Sequence, residues 1–183
     1  MNVALCEYGA GNVRSVEVAL RRLGVTLTSD VVDADLAVLP GVGSARSALA
    51  GLRESGHDVA LRARIEAGQP VLGICLGLQI ALEWSDEDGG VEGLGLLPGR
   101  SERLESGRIP RIGWAEVEGR GTFYFAHSYA AATPCATAWS EGVVAEVRSG
   151  SFVGCQFHPE KSGPDGARYL AAVLEEATSR SLA

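Results

Sequence analysis

The sequence predicts an α/β protein: an open, mostly parallel sheet flanked by helices, with a small antiparallel ribbon in its second half. Three observations carry that expectation. The first forty residues alternate apolar strand-type runs with a helical pattern, as parallel strands with crossover helices do. A further apolar run, Pro70-Val71-Leu72-Gly73-Ile74, passes directly into a helical pattern at Leu76, Gln79, Ile80 and Glu83. From residue 91 to 156, short strand-type segments alternate with turns, which is antiparallel spacing. A chain of 183 residues, 46% hydrophobic with 24 glycines, can bury one sizeable core. No linker, repeat or low-complexity tract divides it, so a single domain is expected over residues 1–183.

Residues 2–6 read as a buried strand that breaks at Gly9-Ala10-Gly11-Asn12. Asn12 is a candidate cap for a helix whose apolar face is Val13, Val16, Ala19, Leu20 and Leu23, and Gly24 is its stop. Strands follow at residues 25–28 and 36–39. The Gly9-Ala10-Gly11 turn, with Asp30 or Asp33 downstream, invites a dinucleotide reading, but Arg14 stands where that fingerprint needs a third glycine. Leu39-Pro40-Gly41-Val42-Gly43-Ser44 leads into a helix, and its paired glycines free backbone amides to face an anion; a plain strand-to-helix turn is the alternative.

Residues 52–66 read as one or two helices, with His57 solvated. Ser85-Asp86-Glu87-Asp88-Gly89-Gly90 reads as a solvated acidic loop rather than a metal site. Strands are expected near 94–97, 102–104, 113–117, 122–126, 136–139, 143–147 and 152–156, some extending the central sheet and others making the ribbon. A last helix, residues 165–177, packs through Ala167, Leu170, Ala171 and Leu174.

A net charge of −7 argues against a nucleic-acid or anionic-membrane partner. No apolar run approaches the length of a membrane span. The opening Val3-Ala4-Leu5-Cys6 stops at Glu7 with no basic region before it, unlike a signal peptide. The four cysteines are therefore expected to be reduced and the location cytoplasmic.

Gly73-Ile74-Cys75-Leu76-Gly77 has the spacing of a strand-to-helix nucleophile elbow with cysteine as the nucleophile. The glycines leave room for a tight turn and for close helix packing. A sulfur at a helix start favours thiolate, the form that attacks carbonyls. The bland alternative is a buried structural cysteine. At the other end stands Cys155-Gln156-Phe157-His158-Pro159-Glu160-Lys161-Ser162. Proline holds His158 out of helical geometry, and in extended chain residues two apart share a side, so Glu160 can orient the imidazole. Such a histidine serves first as base and then as acid. His127 is a second candidate base; it lacks a carboxylate two residues away and reads as a residue behind the site or at an interface.

Together these motifs resemble the class I, triad-type glutamine amidotransferases, with Cys75, His158 and Glu160 on the family's Cys, His and Glu. Within that class, Glu7-Tyr8-Gly9-Ala10-Gly11-Asn12-Val13-Arg14-Ser15-Val16, Leu39-Pro40-Gly41-Val42-Gly43, Gly113-Trp114, His127-Ser128-Tyr129 and the segment ending in Lys161-Ser162 resemble the glutaminase subunits of imidazole glycerol phosphate synthase. Arg111, Ala115, Glu7 and Ala130 depart from that pattern.

The resemblance implies a flavodoxin-like fold and hydrolysis of the glutamine side-chain amide to glutamate and ammonia in histidine biosynthesis. It implies an oxyanion hole from the backbone N–H groups of Val42 and Leu76, and glutamine contacts from Gly43 and Gln79. It further implies a heterodimer with a (β/α)8 cyclase subunit that receives the ammonia. Asn12, Arg14, Trp114, His127, Ser128, Tyr129 and Lys161 are the candidate contacts. Thiol attack on an amide needs no cofactor or metal, and none is expected. The glutaminase subunit of pyridoxal phosphate synthase shares the triad but carries Gly-Gly-Glu-Ser where this chain has Pro40-Gly41-Val42-Gly43. A non-catalytic regulatory subunit is the other alternative, against which the intact triad speaks.

Overall fold

A computed structural model describes residues 1–8, 13–41 and 43–181. The first half runs β1 (Asn2–Leu5), α1 (Arg14–Arg22), β2 (Thr26–Thr28), β3 (Leu36–Leu39), α2 (Ala45–Ser55), α3 (His57–Glu66), β4 (Val71–Ile74) and α4 (Leu76–Ala81). The second half runs β5 (Trp84–Ser85), β6 (Val91–Glu92), β7 (Arg100–Arg103), β8 (Arg111–Val117), β9 (Gly121–His127), β10 (Tyr129–Ala132), β11 (Ala136–Ser140), β12 (Val143–Ser149), β13 (Phe152–Cys155) and α5 (Gly163–Ser181). Single 3-10 turns lie at Glu87–Gly89 and Pro159–Lys161.

Among the described residues a seven-stranded sheet has the order β11-β12-β13-β4-β3-β1-β2. From β13 to β2 all neighbours are parallel, while β12 and β11 add an antiparallel edge. Alternate strand residues divide between two cores, as the two-residue period of a strand requires. Ala4, Ala37 and Leu39 face one core with Leu49, Leu52, Leu61 and Leu78 of α2, α3 and α4. Val3, Leu5, Leu36 and Val38 face the other, with Val16 and Leu20 of α1 and Leu170 and Leu174 of α5. β3 and β4 are buried along their whole length, as central strands covered on both faces must be. The second half also makes a four-stranded sheet, β10-β7-β5-β6, and the β8–β9 hairpin.

Several expectations are corrected. Residues 94–97 are not a strand: the N–H groups of Leu94, Gly95 and Leu96 donate to the carbonyls of Ile80, Leu82 and Ala81, capping the end of α4. The acidic loop is not merely solvated. Glu87 Oε2 accepts from the Ala45 N–H at 2.8 Å and Asp88 Oδ2 from the Arg46 N–H at 3.1 Å, satisfying the first turn of α2. α5 buries Tyr169, Leu170, Val173, Leu174 and Ala177 rather than Ala167, which is exposed. Its phase is set at Gly166, where a Cβ would lie 1.9 Å from the Pro159 carbonyl oxygen. Residues 52–66 do fall in two helices as expected, divided at Gly56, whose φ of 74° ends α2. His57 is half-buried, and its Nδ1 has no partner among the described residues. The expected Asn12 cap lies outside the described residues; the cap position described is Val13, without a side-chain bond. β10, unforeseen, pairs with β7.

Candidate active site

Cys75 stands between β4 and α4 with φ 50° and ψ −106°, a conformation costly for a residue with a Cβ. The surrounding structure over-determines it. Its N–H donates to the Cys155 carbonyl at 2.7 Å, and neighbouring backbone crowds the turn at three glycines. A Cβ at Gly77 would lie 2.1 Å from the Leu39 oxygen, one at Gly41 2.4 Å from the Ile74 oxygen, and one at Gly73 2.8 Å from the Phe152 ring. β3, β4 and β13 therefore approach the elbow closely only because those side chains are absent. Cys75 is 5% exposed, and all four cysteines are free thiols.

Parallel pairing of β13 with β4 sets Cys155 opposite Ile74, which carries the chain beyond β13 past the elbow. There His158 is extended at φ −101° and ψ 91°, as the following proline requires. Its N–H donates to the Tyr124 carbonyl at 2.9 Å, tying the segment to β9. Contrary to the extended spacing expected from sequence, Pro159–Lys161 forms a 3-10 turn. That turn is what returns Glu160 to the imidazole. His158 Nδ1 lies 2.9 Å from Glu160 Oε1, with the two side chains 7% and 4% exposed. Because the carboxylate can only accept, Nδ1 carries the proton and Nε2 is left for Cys75. Burial alone would lower the basicity of His158. Hydrogen bonds to Cys75 and Glu160, and the attraction of both, outweigh it and raise its pKa from 6.5 to about 9. The turn is braced by Ser162, whose hydroxyl donates to the His158 carbonyl at 2.6 Å and accepts from the Tyr124 N–H at 3.0 Å.

A cavity of about 380 Å³ opens over Cys75, lined by Gly41, Gly43, Leu76, Gln79, Glu87 and the stretch from Ala126 to Tyr129. Leu76 is the first residue of α4, where an N–H has no carbonyl a turn earlier to pair with. Val42 lies outside the described residues, while Gly43, with φ 88°, is on the rim. Gln79 is 4% exposed, and its Nε2 donates to the Tyr129 carbonyl at 2.6 Å. His127 is 5% exposed and faces this cavity rather than open solvent. Its Nδ1 meets the Tyr129 carbonyl at 2.9 Å and its Nε2 has no partner among the described residues. Burial, with Arg111 and His158 adding repulsion, outweighs that hydrogen bond and lowers its pKa to about 4. It is a neutral imidazole with a free lone pair.

Two residues at this site were not foreseen. Glu87 supplies a carboxylate on the cavity rim, its pKa raised above the ordinary carboxylate value by burial. Gln156 is fully buried with its Nε2 3.6 Å from Cys75 Sγ. Neither has a local signal, although Gln156 stands two residues before His158. Among the contact candidates, Arg14 and Lys161 are exposed, Trp114 is 59% exposed, and Ser128 and Tyr129 are half-buried. Arg14 shares a surface depression with Glu160, and Trp114 lies edge-on to Tyr124. Asn12 lies outside the described residues. Among the described residues no group of three or more His, Cys, Asp or Glu side chains is placed to hold a metal. A larger cavity, about 710 Å³, shares Ile112 with the first but holds no triad side chain.

A family model described as glutamine amidotransferase class-I matches residues 4–177. The chain is similar to imidazole glycerol phosphate synthase subunit HisH of Carboxydothermus hydrogenoformans. The two are 41% identical over 192 residues, spanning 92% of this chain and 96% of that relative. It is also similar to imidazole glycerol phosphate synthase hisHF, chloroplastic, of Arabidopsis thaliana, at 37% identity over 94% of this chain but only 34% of that longer relative. Among solved structures, one described as a crystal structure of glutamine amidotransferase has a TM-score of 0.77 at 24% identity. That match covers 96% of this chain and 98% of the other, a likeness of fold.

Proposed function

The chain belongs to the class I glutamine amidotransferases and, within them, to the HisH subunits of imidazole glycerol phosphate synthase, and on that premise we propose that Cys75, His158 and Glu160 are its catalytic triad. The protein is a glutamine amidotransferase of histidine biosynthesis, with the class I fold. The observation that carries the triad is the buried chain of contacts Glu160–His158–Cys75 at the elbow.

His158 Nε2 takes the proton from Cys75, and the thiolate attacks the amide carbon of the glutamine side chain. The developing oxyanion is held by the Leu76 N–H and by an N–H of the Gly41-Val42-Gly43 loop. His158 then returns the proton to the departing ammonia, and water hydrolyses the thioester to glutamate. Glu160 keeps Nδ1 protonated and stabilises the imidazolium throughout. Gly43 and Gln79 contact the bound glutamine. Glu87 offers the α-ammonium group a carboxylate on the same rim, which its position in the cavity lining supports.

The chain acts as one synthase subunit, and the partner is a separate (β/α)8 cyclase chain that receives the ammonia in a heterodimer. The Arabidopsis relative, in which the matched region is a third of a longer imidazole glycerol phosphate synthase chain, supports a further synthase part beside this one. Docking to that partner uses Asn12, Arg14, Trp114, His127, Ser128, Tyr129 and Lys161. No helix among the described residues is long and apolar enough to cross a membrane, and the complex works in the cytoplasm.

The test is glutamate release from glutamine by the purified chain, alone and with a cyclase subunit plus its nucleotide ligand. Release in the complex that Cys75→Ala abolishes is the expected result. Release that survives this substitution would refute the triad.

A further inference from the structure

Cys75 has a second polar neighbour besides His158, and its hydrogen-bond sense is dictated from a distance. The Tyr129 carbonyl can only accept, so the Gln79 side-chain atom 2.6 Å from it must be the amide nitrogen. The same nitrogen lies 3.1 Å from Gln156, and the Gln156 atom there must then be the carbonyl oxygen Oε1. That leaves the Gln156 amide N–H₂ facing Cys75 Sγ at 3.6 Å. One backbone oxygen thus decides that the sulfur meets a donor. All three side chains are nearly shielded from bulk solvent, so a missing bond there is costly.

We infer that Gln156 is a positioning residue that stabilises the Cys75 thiolate, and that Gln79, held by the Tyr129 carbonyl, keeps its amide turned the right way. The inference rests on Cys75 being the nucleophile. A hydrogen bond to an ionised sulfur favours the ionised form, and an acceptor in the same place opposes it. Gln79 therefore acts on the nucleophile through Gln156 alone. The Tyr129 carbonyl also accepts from His127 Nδ1, so the position of the 127–129 segment determines whether the donor is presented.

The other charged and titratable groups around the site are distinct from these amides. His158, after β13, and Cys155 on β13 interact with Cys75, Glu160 acts on His158, His127 on β9 and Glu87 line the same cavity, and Arg111 of β8 acts on His127. None is altered in the variants below. The Ala126 carbonyl, 4.0 Å from the sulfur, is likewise untouched.

The experiment is the pH dependence of Cys75 alkylation by iodoacetamide, read on the Cys75 peptide by mass spectrometry. It uses the full chain and involves no glutamine. Gln156→Met should raise the alkylation midpoint by about one unit, roughly tenfold in rate below the midpoint. Gln156→Glu, similar in size but presenting an acceptor, should raise it at least as far. Gln79→Met should raise it less, and the Gln79→Met/Gln156→Met double variant should match Gln156→Met alone. An unmoved midpoint in both folded Gln156 variants would overturn the inference, and full additivity in the double variant would overturn the part given to Gln79. Should Gln156→Met fail to fold, Gln156→Glu decides the first point. A parent chain that releases no glutamate in the assembled complex while these shifts are seen would count against the proposed reaction and leave the inference standing.

Discussion

Replacing Glu160 by Gln removes a charge while nearly preserving shape, and the structure sets the size of the effect. Oε1 lies 2.9 Å from His158 Nδ1, and both side chains are almost wholly shielded from water. At an effective dielectric near 20, the direct attraction between imidazolium and carboxylate at that separation is about 6 kcal/mol, an upper bound on the loss. The amide oxygen of Gln retains a neutral hydrogen bond, so the net loss on the imidazolium is about 3–5 kcal/mol, or roughly 10²- to 10⁴-fold in kcat/KM. The upper end applies where the amide N–H₂ turns to Nδ1 and forces the wrong tautomer. Oε2 has no hydrogen-bond partner among the described residues, so the substitution breaks no second contact there and the fold should persist. The assay is glutamate release in the assembled complex, with the His158 imidazole titrated by NMR in the free subunit. The imidazole pKa should fall from about 9, because the partners that raise it have lost one charge. A folded Glu160→Gln chain with kcat/KM within about threefold of the parent would refute the proposed role, since 1.4 kcal/mol already corresponds to tenfold.

His127, with a pKa lowered to about 4 against 6.5 unfolded, binds its proton less readily when folded. Its contribution is present above about pH 6.5 and lost as pH falls through 4, about 3 kcal/mol in all; urea midpoints of the parent and of His127→Asn should converge over that window. Gly77→Ala puts a methyl 2.1 Å from the Leu39 oxygen and should cost about 3 kcal/mol by urea unfolding while displacing the elbow. Arg64, 1% exposed, donates to the carbonyls of Val31, Val32, Ala34 and Pro70. Arg64→Met should therefore destabilise by about 3 kcal/mol or more, with buried carbonyls left unpaired, and leave the triad geometry intact.

The segments of the proposed triad were legible because their constraints are local. Elbow glycines around Cys75 and a proline after His158 constrain the backbone wherever the chain goes, so spacing alone announced them. The way His158 meets Glu160 was misjudged for the same reason: alternation along an extended chain was assumed, whereas Pro159–Lys161 turns. The acidic loop was read as solvated because its charges have no local partner, yet its carboxylates cap α2 across 42 positions of sequence. Residues 94–97 have strand composition but donate to the end of α4 instead, since the carbonyls they meet belong to a helix end.

By itself the sequence determined the alternation of strands and helices and the position of the elbow, consequences of backbone restrictions and short-range periodicity, while the partnership of Cys75 with a distant His-Pro-Glu was what the family resemblance implied. Only the tertiary structure decided which groups stand beside the sulfur. Gln156 reaches it because β13 pairs with β4 in one register, and Gln79 and Gln156 touch across 77 positions of sequence. Hydrogen bonds of that kind have no local signature: their strength depends on two side chains being buried together, and only a folded chain brings them there.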